Sequence, residues 1–225
     1  MFNYSTPLVL PDLVSETQKN GKRVYVTPDG DRLPSVTTVV GHHKKQIIKE
    51  WRDRVGHEVA NKISAQASGR GNGMHTLCER YLKNEKTIGK GIMPDALEMF
   101  RSIQPYVNKI NNIHYLEQAL WSKQLSLAGR VDCIGEYDGL LSVIDFKTSR
   151  RIKTPEQIED YFWQTTAYAL MYEELVGQPI DNLIIIMAVE NDQPLIFQQK
   201  TEKHINGLVK VIHDYRQDNR LQRPN

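Results

Sequence analysis

Two short segments put charges where a strand normally buries apolar side chains. "GRVDCIGEY" (129–137) carries Asp132, and "SVIDFKTSR" (142–150) carries Asp145 and Lys147 two residues apart. Charges in such places are costly unless they are paired or bind something. A strand alternates its side chains, so Asp145 and Lys147 share a face with Leu141 and Val143, while Ser142, Ile144, Phe146 and Thr148 face the other way. Between the segments stands Asp138-Gly139, a hairpin turn pair. Six residues run from Asp132 to the turn and six from it to Asp145, so a symmetric hairpin pairs the two aspartates.

Two carboxylates so placed repel one another, and a divalent cation removes that cost. Oxygen ligands on strands suit magnesium or manganese better than zinc. Lys147 would then face a scissile phosphate and oppose charge growing on its oxygens. Glu117, one segment upstream, is a third carboxylate near the same sheet edge. The competing reading of an Asp-x-Lys triplet alone is a surface ion pair. Asp132 across the hairpin, with Glu117, favours a metal site.

Two pairs at helical spacing add to this set: His75 with Glu79, and Gln164 with Tyr168. A glutamine amide and a tyrosine ring on one helix face suit a nucleic-acid backbone or base. Arg130 beside Asp132, Thr148 after the signature strand, and Arg70 in "SGRGNG" are candidate phosphate contacts. Each has a plain alternative as an ion pair or exposed polar residue. For Ser35 the rival to a role on the DNA path is helix capping.

The elements that must position these residues follow from local patterning. Residues 1–20, with Pro7 and Pro11, read as an irregular arm. "RVYVTPDGDRLP" predicts a small hairpin, and a helix starts near Ser35 or Thr37. Ile47, Ile48, Trp51, Val55, Val59 and Ile63 recur at helical spacing, and the small-residue run 64–73 is expected to break or bend that helix. A helix resumes through Met74, Leu77, Cys78, Tyr81 and Leu82, and another runs from about Pro94 to Asn111. The period then shifts to strands around Tyr115–Trp121, 128–137 and 140–148. A long helix follows, with Thr154 as cap, Gln157 at the capping-box position and Gly177 as stop. "LIIIMAVE" and "LIFQQK" are two more strands before a last helix. This order predicts an α/β fold, a central mixed sheet flanked by helices. The domain reading is an arm over 1–20 and one domain over 21–225, with a helical region at 44–111 and core sheet and helices at 112–217.

The chain has 225 residues, 40% of them hydrophobic, enough for one compact domain with a sizeable core. A formal net charge of +2 neither demands nor excludes a nucleic-acid partner, so local patches must decide. Two cysteines do not make a disulfide scaffold, and Cys78 and Cys133 read as small buried residues. No apolar run reaches the roughly 18 residues of a membrane span. The N-terminus does not read as a secretion signal. A cytoplasmic location, or the host-cell cytoplasm for a phage-encoded protein, is the expectation. Protein partners are not readable, and a monomer is the simplest assumption.

Taken together, "GRVDCIGEY", "SVIDFKTSR" and the downstream "WQTTAYAL" resemble the PD-(D/E)XK nuclease superfamily in its RecB-like exonuclease branch. "LPSVTTVV" (33–40) and "GRGNGMHTLCERYL" (69–82) are similar to motifs of the mitochondrial genome maintenance exonucleases and related phage exonucleases. The resemblance covers roughly residues 22–200 and implies a restriction-endonuclease-like core with an N-terminal helical region over the active site. It implies a Mg2+- or Mn2+-dependent exonuclease of DNA replication, recombination or repair, acting on DNA, single-stranded by preference; the alternatives are a structure-specific DNA endonuclease of the same fold and a catalytically inactive DNA-binding module. It implies Asp132, Asp145 and the Phe146 carbonyl as metal ligands, Lys147 as the signature lysine, and His75 near a second metal position or a phosphate. Glu117 becomes the acidic residue before the Gly-Arg-x-Asp strand, and Gln164 with Tyr168 the pair that supports substrate and site. Val131 stands where a proline often precedes the first aspartate, and no four-cysteine set marks an iron–sulfur variety.

Overall fold

A computed structural model describes residues 1–18 and 21–221; the expected ends of the arm at 20 and of the domain at 225 lie outside the described residues. In chain order the elements are β1 (Val14–Thr17), β2 (Arg23–Val26), β3 (Arg32–Pro34), α1 (Val36–Val40), α2 (Lys45–Val55), α3 (His57–Leu82), α4 (Pro94–Val107), β4 (Ile110–Ser122), β5 (Leu127–Tyr137), β6 (Leu140–Ser149), α5 (Glu159–Val176), β7 (Asn182–Val189), β8 (Leu195–Lys200) and α6 (Ile205–Leu221). The expected α/β class with a mixed central sheet flanked by helices is what the chain adopts.

The central sheet has the order β4-β5-β6-β7-β8. Strands β4, β5 and β6 form an antiparallel meander, and the Asp138-Gly139 turn closes β5 onto β6 with Tyr137 opposite Leu140. Strand β7 runs parallel to β6, with α5 as the crossover, and β8 returns antiparallel. Alternation along the strands builds two cores. Ile144, Phe146, Ile184, Ile186 and Ala188 pack under α3 and α4 with Leu77, Phe100 and Ile103. Val143 and Leu183 pack on the other side with Tyr168, Tyr172, Leu208 and Ile212 of α5 and α6. Both faces of β7 are covered, which is why its sequence is a continuous apolar run. Each such fully buried aliphatic side chain contributes roughly 1.5–3 kcal/mol from burial.

Three local expectations are corrected. The arm is not irregular throughout, because β1 adds to the predicted hairpin and makes a three-stranded sheet. The run 64–73 does not break the helix: α3 is continuous from His57 to Leu82. Its small residues serve packing, since a Cβ on Gly73 would stand 2.8 Å from Ala96 Cβ of α4. The break falls earlier, at Gly56, whose φ of 87° is open to glycine and strained for other residues. The fourth helix also ends sooner than Asn111, giving way to β4 at Ile110.

The start and stop of α5 follow the sequence. The Thr154 amide donates to Gln157 Oε1 at 3.1 Å, and a single 3-10 turn over Pro155–Ile158 leads into the helix. Gly177 ends it in the left-handed conformation with φ 80°.

Candidate metal centre

Four elements converge on Asp132. The β5–β6 ladder, last paired at Cys133 opposite Ile144, brings Asp132 into line with Asp145. On the other side, the pairs Leu116 with Cys133 and Gln118 with Val131 place Glu117 opposite Asp132. Helix α3 brings His75 over the strands. His75, Glu117 and Asp132 each offer a ligand atom, all within 4.8 Å of one another.

The aspartates are held by different partners. Asp132 is buried; its Oδ2 accepts from the Phe146 backbone N–H at 2.8 Å and lies 3.4 Å from His75 Nδ1. Asp145, 1% exposed, accepts from Gln164 Nε2 at 2.8 Å through Oδ1 and ion-pairs with Lys147 through Oδ2. One carboxylate therefore joins β5 to β6 and α3, and the other joins β6 to α5. The Phe146 amide is committed to Asp132.

Glu117 sits in strained backbone, with a φ of 50° inside a strand. Such a conformation costs a non-glycine residue of order 1–3 kcal/mol and persists where the surroundings enforce it. Arg130 is part of that enforcement: Nη1 donates to the Glu117 carbonyl and Nη2 pairs with Asp12. The kink aims the Glu117 carboxylate into the cluster.

The electrostatics match the geometry. Burial pushes the Glu117 carboxyl up to about 7, and the charge on Asp132 pushes the same way. Burial likewise pushes Asp145 up to about 6 in spite of Lys147. For Asp132 the effect of burial is outweighed by His75, so its carboxyl is lowered. Burial alone would lower His75, but the charge and hydrogen bonding of Asp132 carry it up to about 9. Lys147 is raised because the charges of Asp145 and Asp132 outweigh its burial. The cluster has more buried carboxylate than nearby positive charge satisfies. Two carboxylates and an imidazole, with Asp145 alongside, form a donor set that fits a divalent cation.

The remaining sequence-derived residues divide sharply. Tyr168 and Ser35 are each 2% exposed, so neither presents a face to a base or phosphate. The Tyr168 ring is packed so tightly over Gly129 that a Cβ there would stand 2.8 Å from the phenol oxygen. Ser35 caps α1, accepting from the Thr38 amide at 3.1 Å. Gln164 is also buried, and its amide is spent on Asp145. Arg70 is buried and paired with Glu190 at 3.1 Å. Arg130 is engaged with Asp12 and Glu117 as described. Thr148 is partly exposed and lies under α3, 3.6 Å from where a Gly71 Cβ would be. Glu79 is paired with Lys83 at 2.6 Å. Cys78 and Cys133 are both free and buried, and burial raises both thiols.

Sequence reasoning missed Asp12, Asp160, Tyr161 and Glu190. Asp12 and Glu190 act across 118 and 120 residues of chain, on Arg130 and Arg70 respectively. No local pattern marks such partners. Tyr161, three residues before Gln164 and so on its helical face, carried a signal that was readable.

Comparison with known proteins places this arrangement. The sequence profile of the PD-(D/E)XK nuclease superfamily matches residues 22–220. The chain is similar to mitochondrial genome maintenance exonuclease 1 of Mus musculus, 27% identical over 129 residues, covering 54% of this chain and 38% of the mouse protein. The Xenopus tropicalis protein of the same name is 26% identical over 176 residues, covering 72% of this chain and 50% of its own length. The chain thus spans half or less of the length of these relatives. A solved structure from Eubacterium rectale, described as a candidate exonuclease, aligns at 11% identity with a TM-score of 0.46 over 65% of this chain and 63% of that one, and carries no weight for function. Among the described residues, no helix is long and apolar enough to cross a membrane.

Proposed function

The chain belongs to the PD-(D/E)XK nuclease superfamily, and we propose on that footing that it is a magnesium- or manganese-dependent deoxyribonuclease. In this reading it degrades DNA from free ends, prefers single strands, and serves replication, recombination or repair in the cytoplasm of a cell or phage host. The observation that carries the reading is the convergence of His75, Glu117 and Asp132 beside the Asp145–Lys147 pair. Similarity to proteins named as exonucleases supports end-directed cutting.

Asp132, Glu117 and His75 would hold the cation, with Asp145 and the Phe146 carbonyl as further oxygen donors. Bound there, a divalent ion supplies a Lewis acid for phosphodiester hydrolysis. The protein's own groups do the positioning. The Phe146 amide and Gln164 fix the two aspartates, so the ligand oxygens need little rearrangement. Lys147, partly exposed at the end of β6, presents an ammonium to the phosphoryl oxygens as their charge grows. Helix α3 packs beside β6; a helical region over the site, as the family resemblance implies, would narrow the approach and favour a single strand over a duplex.

The test is cleavage of end-labelled linear and sealed circular single strands and of blunt duplex, with Mg2+, with Mn2+ and with EDTA. Metal-dependent loss of linear single strands, circles intact and duplex slower, is the expected pattern. Cutting that persists in EDTA would reject metal dependence, and equal rates on circles would make the protein an endonuclease.

A further inference from the structure

Tyr161 stands at the start of α5, on the helix that also delivers Gln164 to Asp145. The Lys147 ammonium lies over its ring, 4.9 Å from the centroid. The Lys44 ammonium lies 5.5 Å from the same centroid and is paired with Asp160, the residue before Tyr161, at 2.6 Å. Both distances fall inside the roughly 6 Å over which an aromatic face attracts a cation. Tyr161 is itself partly buried, packed against the cluster of Ile158, Phe162, Ile185, Met187 and Val189. The tyrosine is thus a fixed plane, anchored below by an apolar cluster and flanked by two cations.

We propose that Tyr161 is a positioning residue for Lys147, its ring face fixing the ammonium beside Asp145, with the Lys44–Asp160 pair as the clasp that holds the tyrosine in place. A lysine has four rotatable bonds and a compact charge that one carboxylate does not orient. Asp145 pulls the ammonium from one side, and the ring limits where else it can go. The device also ties the segment before α2 to the catalytic strand, because Lys44 lies between α1 and α2. Interactions with a ring face depend on the aromatic ring and not on its hydroxyl, so Tyr161→Phe retains the device and Tyr161→Leu removes it. The role assigned to Lys147 rests on the nuclease reading, whereas the placement of its ammonium does not.

The experiment has two arms. In protein labelled with 13C,15N-lysine, and with the Lys147 resonances assigned by Lys147→Arg, the ε-methylene of Lys147 is expected upfield of the other lysines. That displacement should survive in Tyr161→Phe and vanish in Tyr161→Leu. A wild-type Lys147 resonance among the bulk lysines would overturn the inference without any Tyr161 variant, so a Tyr161→Leu protein that failed to fold would not rescue it. In single-turnover cleavage, Tyr161→Leu should lose roughly 10-fold or more in rate with single-strand affinity within about threefold of wild type, and Tyr161→Phe should stay near wild type. Equal loss in both variants, or loss of affinity in place of rate, would overturn the positioning role. Absence of cleavage by the wild type, with the upfield resonance present, would reject the nuclease reading and leave the placement of Lys147 standing.

Discussion

Gln164 Nε2 donates to Asp145 Oδ1 at 2.8 Å, joining the crossover helix to the strand that carries the signature residues. Both side chains are buried, so neither has water as a substitute partner. Gln164→Ala is expected to lower stability by about 1–3 kcal/mol, the cost of leaving a buried acceptor unpaired. Gln164→Glu should be worse, because it sets a second carboxylate against Asp145. Urea unfolding of both variants measures this; two midpoints equal to wild type would show that the bond is not made in solution.

Lys147 and the aspartates should separate in their effects. Asp132→Ala and Asp145→Ala are expected to abolish cleavage and the thermal shift given by Mg2+ or Mn2+. Lys147→Ala should keep that shift and lose roughly 10²-fold or more in single-turnover rate. A near-normal rate for Lys147→Ala would refute its role at the phosphate. All three should still bind single-stranded DNA, since backbone contacts are spread over many residues.

Relief of charge repulsion should appear at Glu117 and not at Asp132. From sequence alone, removing either aspartate is a candidate for stabilising the metal-free protein. The structure changes that expectation for Asp132, because its loss strands the Phe146 amide and removes the partner of His75. Glu117 receives no such bond through its carboxylate among the described contacts, and it lies half-buried beside Asp132. Glu117→Gln is expected to raise the melting temperature without metal and to reduce the gain on adding Mn2+. Differential scanning fluorimetry with and without Mn2+ checks both signs.

Glycines in α3 should respond according to space. A Cβ on Gly69 meets nothing within 4 Å, and on Gly71 meets only Thr148 Oγ1 at 3.6 Å. Gly69→Ala and Gly71→Ala are therefore expected to stabilise by roughly 0.5–1 kcal/mol each through helix propensity. Gly73→Ala drives into Ala96 and should destabilise by about 1–3 kcal/mol. A chain that bends at 64–73 in solution would show no gain at either of the first two positions.

His204 stacks on Phe162 at 4.7 Å with an interplanar angle of 14°, and its buried Nε2 has no hydrogen-bond partner among the described residues. Burial lowers its pKa; Lys203 acts in the same direction and Glu159 against it. The unfolded chain then takes up a proton near 6.5 that the folded chain resists, so stability falls as pH drops below 6.5 and levels off below the folded value. Other groups titrate in that range, so the quantity to read is the difference between wild type and His204→Phe. Urea midpoints at pH 7.5 and 5 should show a smaller acid loss in the variant, and identical losses would count against the assignment.

Much of the site was legible because its information is local. The Asp138-Gly139 turn and strict strand alternation fix Asp145 and Lys147 on one face and bring Asp132 alongside. The cap and stop of α5 likewise depend on residues a few positions apart. The break in the N-terminal helix was misread for the converse reason. Glycine's weak helix propensity is a local penalty of about 1 kcal/mol, and packing of α3 on α4 and the sheet overrides it. Ser35, Tyr168 and Arg70 showed residue types that fit either substrate or scaffold, and only burial decides between those. The sequence by itself determined the hairpin, its charges and the class of fold. Tertiary structure alone decided that the Glu117 carboxylate and His75 lie against Asp132, that Gln164 bonds Asp145, and that the Tyr161 ring lies under the Lys147 ammonium. Those relationships join residues fourteen or more positions apart and on different elements, and nothing short of the packed sheet and helices brings them together.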